Sequence, residues 1–171
     1  MAYDAVIQAE TGFMSMNGEK NAQPLKMPVA LIDILTAHQL KEGVLAALIY
    51  RSKTGKGAVI SASLYHTGIA SLANQAANVL STGEDPKPLG SEHPNIFPYG
   101  VIVCTSDNIS IVLAVGTDVQ FVKFCQVIHR EDIAVNPLYS SNRNRVEHRE
   151  DLKAMIIHSV RQIHSEELIK S

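Results

Sequence analysis

The sequence predicts an α/β architecture in which a helix–turn–strand–helix block, residues 1–84, joins a smaller α+β lobe, residues 85–171. Three observations carry that expectation. A long apolar segment runs from Val29 to Arg51. A stretch rich in Pro and Gly, Thr82–Tyr99, punctuates the middle of the chain. Beyond it the pattern changes to short β-rich runs followed by helical periodicity.

The elements are expected in the following order. Val6, Ile7, Phe13 and Met14 have the spacing of a helix between Tyr3 and Met16, weakened at Gly12 and closed by Gly18. Asn17 to Pro28 reads as a loop punctuated by Pro24 and Pro28. In the segment Val29–Arg51 the polar residues form no complete face, so a largely buried helix is predicted. Thr54-Gly55-Lys56-Gly57 stops it, Ala58–Ser63 reads as a short strand, and Leu64–Ser81, rich in Ala and Leu, reads as a second helix. In the smaller lobe, Val101–Thr105 and Ser110–Val115 predict a hairpin around Ser106-Asp107-Asn108. Helices follow at Asp118–Ile128 and His148–Ile163, with Asp118 and Glu147 near their starts.

Composition narrows the function. Hydrophobic residues make up 46% and charged residues 19% of the chain, and Trp is absent, so a large aliphatic core is expected. The net charge of -2 is dispersed, without the basic stripe of a nucleic-acid binder. No stretch is apolar for long enough to cross a bilayer, and residues 1–20 lack a signal-peptide pattern. Cys104 and Cys125 each sit in an apolar run and read as buried free thiols of a reducing compartment. No His, Cys and carboxylate set has ligand spacing, so no metal site is expected. Lys53-Thr54-Gly55-Lys56-Gly57 follows a helix and lacks the phosphate-loop order, so it reads as a helix stop.

One residue stands out chemically. Asp33 lies between Leu31, Ile32, Ile34 and Leu35, where a charged carboxylate is costly unless it is hydrogen-bonded or has work to do. Two roles fit equally: a cap for a helix starting at Ile34, or a reactive group. The two are compatible, because a helix start also offers N–H groups to an oxyanion. His38, five residues on, lies off the same helical stripe and is expected to pack or face solvent.

Several groups of residues together carry a family resemblance. They are Tyr3-Asp4, Gln8-Ala9, Gly12, Met14 and Gly18; Val29-Ala30 with Asp33; and Gly43 and Leu45-Ala46-Ala47-Leu48 followed by Thr54-Gly55-Lys56-Gly57. Further along they are Gly90, His93-Pro94, Ile96 and Pro98-Tyr99, then Asn142, Arg145, Val146 and Arg149. These segments resemble the class III CoA-transferases, which include the formyl-CoA, carnitine-CoA and succinate/glutarate-CoA transferases. The resemblance runs almost end to end. It implies that residues 1–84 are part of the large catalytic domain and that the chain belongs to the middle of the family fold. It also implies that a Rossmann-like CoA-binding half and a C-terminal return segment of the family lie outside this chain.

The resemblance implies an activity as well. CoA would move from an acyl-CoA donor to a small carboxylic acid of the succinate or glutarate type, with coenzyme A as substrate and no cofactor. Asp33 matches the nucleophile that forms an aspartyl anhydride and then an aspartyl-CoA thioester. Tyr3 and His93 match substrate-binding positions, with the loop around His93 covering the site. A homodimer or a complementing CoA-transferase half is the implied partner, and the cytoplasm or the mitochondrial matrix the implied compartment. Three positions depart from the family pattern: Met27-Pro28-Val29 lacks a preceding glycine, Ala37 replaces a common glycine, and Ser61 stands where an aspartate usually ends the strand. Two alternatives remain: an α-methylacyl-CoA racemase, or a truncated, inactive remnant of the family. Racemase relatives place His where this chain has Tyr3, and a phenol is a poor base near neutral pH.

Overall fold

The computed structural model describes residues 3–170. The chain divides into two compact units, Met1–Gly90 and Ser91–Ser171.

Among the described residues of the first unit the only regular elements are helices, joined by irregular segments. Helix α1 (Asp4–Glu10) and the single turn α2 (Phe13–Met16) are separated by Gly12, whose φ of +88° favours glycine and redirects the chain. Helix α3 (Leu31–Thr54) has 24 residues, about 36 Å at 1.5 Å per residue. It ends at Gly55, with φ +71° and an N–H donating to the Arg51 carbonyl at 2.8 Å. The predicted stop is therefore where the backbone needs it.

Three expectations for this unit are corrected. Helix α3 is not largely buried, since Ile32 is its one buried residue and Leu40, Val44, Leu45, Leu48, Ile49 and Tyr50 are all exposed. A helix apolar all round needs neighbours on every side, and within this unit α1 and α4 (Leu64–Ala70) contact it together with Ile60. Ala58–Ser63 forms no strand: no described strand pairs with it, and Val59 stands 97% exposed. Finally, the expected helix Leu64–Ser81 is two, α4 and α5 (Asn74–Thr82), because the chain breaks at Ala73 with φ +50°. Close approach decides the packing. A Cβ at Gly68 would lie 2.8 Å from the Thr11 methyl, and one at Gly43 would lie 2.7 Å from Ile60. Thr67 donates from its hydroxyl to the Gln39 amide oxygen at 2.9 Å, tying α4 to α3.

The second unit holds the expected hairpin. Strands β1 (Ile102–Cys104) and β2 (Ser110–Val112) pair antiparallel with Val103 opposite Ile111. In the turn, Thr105 donates to Asp107, and Asp107 accepts from the backbone and hydroxyl of Ser165 at 3.0 and 2.6 Å. The Ser165 and Thr105 hydroxyls hold the Asp107 carboxyl well below the usual carboxylate range. Helix α6 (Asp118–Val127) starts one residue after Thr117, which caps it in a reciprocal pair with Gln120. Short helix α7 (Glu131–Ala134) and a 3₁₀ turn at Pro137–Tyr139 lie outside the predicted elements, while α8 (Asn142–Glu147) carries Asn142, Arg145 and Val146 of the family resemblance. Helices α9 (Arg149–Val160) and α10 (Ser165–Lys170) end the unit. The core gathers Phe97, Val103, Phe121, Ile133, Leu152 and Ile156. Both cysteines are free, but only Cys125 is buried, and burial pushes its thiol up to about 11. Cys104 is half-buried. No helix among the described residues is long and apolar enough to cross a membrane.

Arg145 is buried to 1% exposure in the middle of this unit. Its guanidinium donates to the carbonyls of Phe97 and Tyr139, each at 3.0 Å, and to Asp118 at 2.6 Å, and it lies 4.3 Å above the Phe121 ring. Asp118 is 58% exposed, so the two ends of this ion pair differ in what they risk. Arg145→Met strands two carbonyls and is expected to cost about 3 kcal/mol in chemical denaturation. Asp118→Asn, which leaves the carbonyl bonds intact, is expected to cost less than about 1 kcal/mol. Equal losses would mean that the charge pair, not the carbonyl bonds, supports the unit. The exposed side of α3 yields a second expectation. Sedimentation of the purified chain should show concentration-dependent self-association, and a monomer unchanged over a hundredfold dilution would contradict it.

Candidate active site

The start of α3 is built from outside the helix. Its N-cap is Ala30, which has no side-chain oxygen to offer the first amides. Asp4, at the first position of α1, supplies the acceptor instead. Its Oδ1 takes the N–H of Ile32 at 2.8 Å and of Asp33 at 3.3 Å. Its Oδ2 accepts from the side-chain amide of Gln8 at 2.6 Å, one turn along α1. Gln8 is fully buried; its carbonyl oxygen accepts from Met27 N at 2.9 Å, and its amide also reaches the Val29 carbonyl at 3.4 Å. The remaining first-turn amides are satisfied locally, Leu31 N by Val29 O at 2.9 Å and Ile34 N by Ala30 O at 3.1 Å.

Asp33 therefore does not cap a helix beginning at Ile34. The helix begins two residues earlier than Asp33, and the carboxylate projects from its first turn. Its side chain is exposed, so the desolvation inferred from its apolar neighbours is absent within this unit. The helix start is also not a vacant anion cradle, because all four first-turn amides are taken. The oxyanion donors expected there must come from other groups. Tyr3 is the extended N-cap of α1, with φ −104° and ψ 149°, and is 65% exposed. Its carbonyl accepts from Ile7 N at 3.1 Å. Tyr3 and Asp33 thus stand at the starts of two helices that Asp4 stitches together. His38 is exposed and bonds to Lys41 at 3.0 Å.

His93 belongs to the second unit, on an irregular loop that its helices hold. Asn142 accepts from Phe97 N at 3.1 Å and donates to Asn95 O at 2.8 Å. Arg149 donates to Pro94 O at 2.8 Å and to His93 O at 3.4 Å, and pairs with Glu92 at 3.5 Å. Lys153 also bonds Glu92. His93 N donates to Tyr99 O at 3.0 Å, and the two rings meet edge to face at 5.8 Å. Asn95 N donates to His93 Nδ1 at 3.1 Å, so Nδ1 is the acceptor and the proton of the neutral ring sits on Nε2. The residues at 93–99 and 142–149 that share the family resemblance are thus one hydrogen-bonded assembly.

What the sequence left unassigned is the Asp4–Gln8 pair and the Glu92 ion pairs. The i,i+4 spacing of Asp4 and Gln8 was there to see, but nothing local says that their partner lies 28 residues away. Among the described residues no group of three His, Cys, Asp or Glu could hold a metal ion. The arrangement offers an exposed carboxylate on a tightly fixed turn, which suits covalent chemistry.

Comparison with known proteins bears on that chemistry. A profile for CoA-transferase family III matches residues 1–171. A succinate–glutarate CoA-transferase of Agrobacterium fabrum is 40% identical over 154 residues, 90% of this chain and 38% of that protein. The human succinyl-CoA:glutarate CoA-transferase is 34% identical over 150 residues, 88% of this chain and 34% of that protein. A solved CAIB/BAIF family protein from Brucella suis has a TM-score of 0.74 at 35% identity, covering 99% of this chain and 44% of its own. A Mycobacterium tuberculosis structure has a TM-score of 0.81 at 23% identity, over 99% of this chain and 43% of its own, and shows the shared fold. The chain spans less than half the length of each of these relatives.

The loop holding His93 yields its own test. Asn142→Ala removes one acceptor and one donor from it and leaves the core side chains in place. Amide exchange at Phe97 is expected to rise about tenfold, the equivalent of about 1.4 kcal/mol of local opening, with the global unfolding midpoint nearly unchanged. Unchanged exchange would mean that Arg149 and Lys153 hold the loop without Asn142.

Proposed function

The chain belongs to CoA-transferase family III, and from that membership we propose that it bears the nucleophile of an enzyme moving CoA from an acyl-CoA to a small dicarboxylate. The observation that carries this reading is the exposed Asp33 carboxylate on a first helical turn whose backbone is fixed by Asp4. The names of the relatives, succinate–glutarate and succinyl-CoA:glutarate CoA-transferases, supply the substrate class.

A carboxylate suits this reaction because the group must serve as both nucleophile and leaving group. Asp33 attacks the donor's thioester carbonyl, the C–S bond breaks, and CoA thiolate leaves behind a mixed anhydride. The thiolate then attacks the aspartyl carbonyl, the donor's carboxylate departs, and an aspartyl-CoA thioester remains. The acceptor carboxylate attacks that thioester, forming a second anhydride and releasing the thiolate. Attack by the thiolate on the acceptor's acyl carbon gives the new acyl-CoA and restores Asp33. No water enters, and one thioester is exchanged for another. Val29 and Ile34, each about half exposed, leave apolar surface at the same helix start, where an acyl chain can pack. In this reading Tyr3 and His93 contact substrate.

The test uses succinyl-CoA and glutarate with the chain alone and with the remaining portions of the A. fabrum relative supplied as separate chains. Hydroxylamine added during turnover should leave a hydroxamate at Asp33, located by peptide mass spectrometry. Asp33→Asn should lower transfer by about 10³-fold or more while costing only about 0.5 kcal/mol of stability. Substantial transfer by Asp33→Asn, or a label on another carboxylate such as Glu42, would sink the proposal.

A further inference from the structure

Asp33 projects from its helix, and nothing in its own side chain fixes where it points. We infer that Asp4 and Gln8 are positioning residues that aim the Asp33 carboxylate, an inference that rests on Asp33 being the nucleophile.

The argument begins with what α3 lacks. An uncapped helix start frays, because its first amides have no partner, and Ala30 offers no cap. Were the turn Leu31–Ile34 to open, the Asp33 Cα and its carboxylate would move together. Asp4 prevents this by holding the amides of Ile32 and Asp33, the second of which belongs to the proposed nucleophile itself. Asp4 is 8% exposed and Gln8 is 0% exposed. A buried amide is costly unless every group is paired, and a leucine of similar volume would fill the same space. Gln8 is instead fully engaged, with Asp4 on one side and with Met27 N and Val29 O on the other. It therefore braces both the cap and the segment that leads into α3.

The same bonds separate the two carboxylates chemically. One Asp4 oxygen accepts two amides and the other accepts the Gln8 amide, so Asp4 is buried and occupied while Asp33 is exposed. Labelling should therefore favour Asp33 even though Asp4 lies against the same turn. Positioning of this kind acts on the rate of attack and leaves substrate binding unaltered, because misplacement by about 1 Å can cost about 10²-fold.

The experiment measures single-turnover labelling of Asp33 by succinyl-CoA and hydroxylamine, and amide exchange at Ile32 and Asp33, in the same assembly as the transfer assay. Asp4→Ala and Gln8→Leu should speed amide exchange at both positions about tenfold or more and slow labelling about 10²-fold. The donor concentration giving half-maximal labelling should stay within about twofold, a split that general destabilisation does not produce. Asp4→Asn alone sets an amide against the Gln8 amide and should also slow labelling. Adding Gln8→Glu restores a donor–acceptor pair of the opposite sense but gives up the donor to Val29 O, and should recover part of the rate. Labelling as fast as in the unmodified chain, despite faster amide exchange, would make the pair a structural cap only and overturn the inference. If the unmodified chain is labelled elsewhere than Asp33, the proposed function fails and the inference with it, an outcome distinct from the first.

Discussion

Helix α3 cannot close its own first turn, and a buried carboxylate from another helix closes it. That one constraint organises the first unit. Because Asp4 must reach the amides of Ile32 and Asp33, the start of α1 has to lie against the start of α3. Because Asp4 is buried there, its second oxygen needs a donor, and Gln8 one turn on provides it. Gln8 in turn is satisfied only if the approach at Met27 and Val29 runs past it. Each link forces the next, so a loop between two helices is fixed without a strand or a disulfide. The cost of burying polar groups is offset only when the network is complete, and among the described residues no buried side-chain polar atom lacks a partner.

The second unit solves a similar problem with the opposite charge. The segment from Glu92 to Tyr99 has no regular structure to satisfy its carbonyls, so side chains from α8 and α9 do it. Arg145, Asn142 and Arg149 reach the carbonyls of Phe97, Asn95 and Pro94 respectively. Arginine suits this work because its donors form a rigid fork and its charge never titrates away. In both units polar side chains of a neighbouring helix immobilise an irregular segment, Met27–Val29 in the first and Glu92–Tyr99 in the second.

How legible all this was depends on the range of the interaction. The Gly55 stop, the hairpin and the helix after Thr117 follow from residues adjacent in sequence, and the structure has all three. The strand expected at Ala58–Ser63 failed because β-rich composition states a preference, and a strand also needs a partner that this unit does not contain. The helix break at Ala73 leaves no trace in composition. The burial of α3 was misjudged for a different reason, since hydrophobicity reports what a residue prefers to contact and not what the chain supplies. At the candidate site, Asp33 was conspicuous because a carboxylate among aliphatic residues is anomalous locally. Asp4 and Gln8 entered only through the family resemblance, because an acidic residue in the first turn of a surface helix is ordinary by itself, and the bonds Asp4 makes appear only once α3 is beside it.

The exposure of Asp33 bears on the proposed chemistry in a way its sequence neighbourhood concealed. A helix start favours an anion through its unpaired amides and its dipole, and a nucleophile held by such donors is stabilised before it reacts. Here the donors are already committed to Asp4, a second anion held against the same turn. Asp33 gains the rigidity of the helix start without surrendering its lone pairs to the amides. In a reaction that makes and breaks an anhydride at the same carboxylate, that division suits both directions. The attacking oxygen is not tied down by the backbone, and the carbonyl carbon returns to the same place for each thiolate attack. Stabilisation of the developing oxyanion then has to come from groups other than the α3 amides. The polarity of the turn is spent on holding the backbone of the proposed nucleophile still.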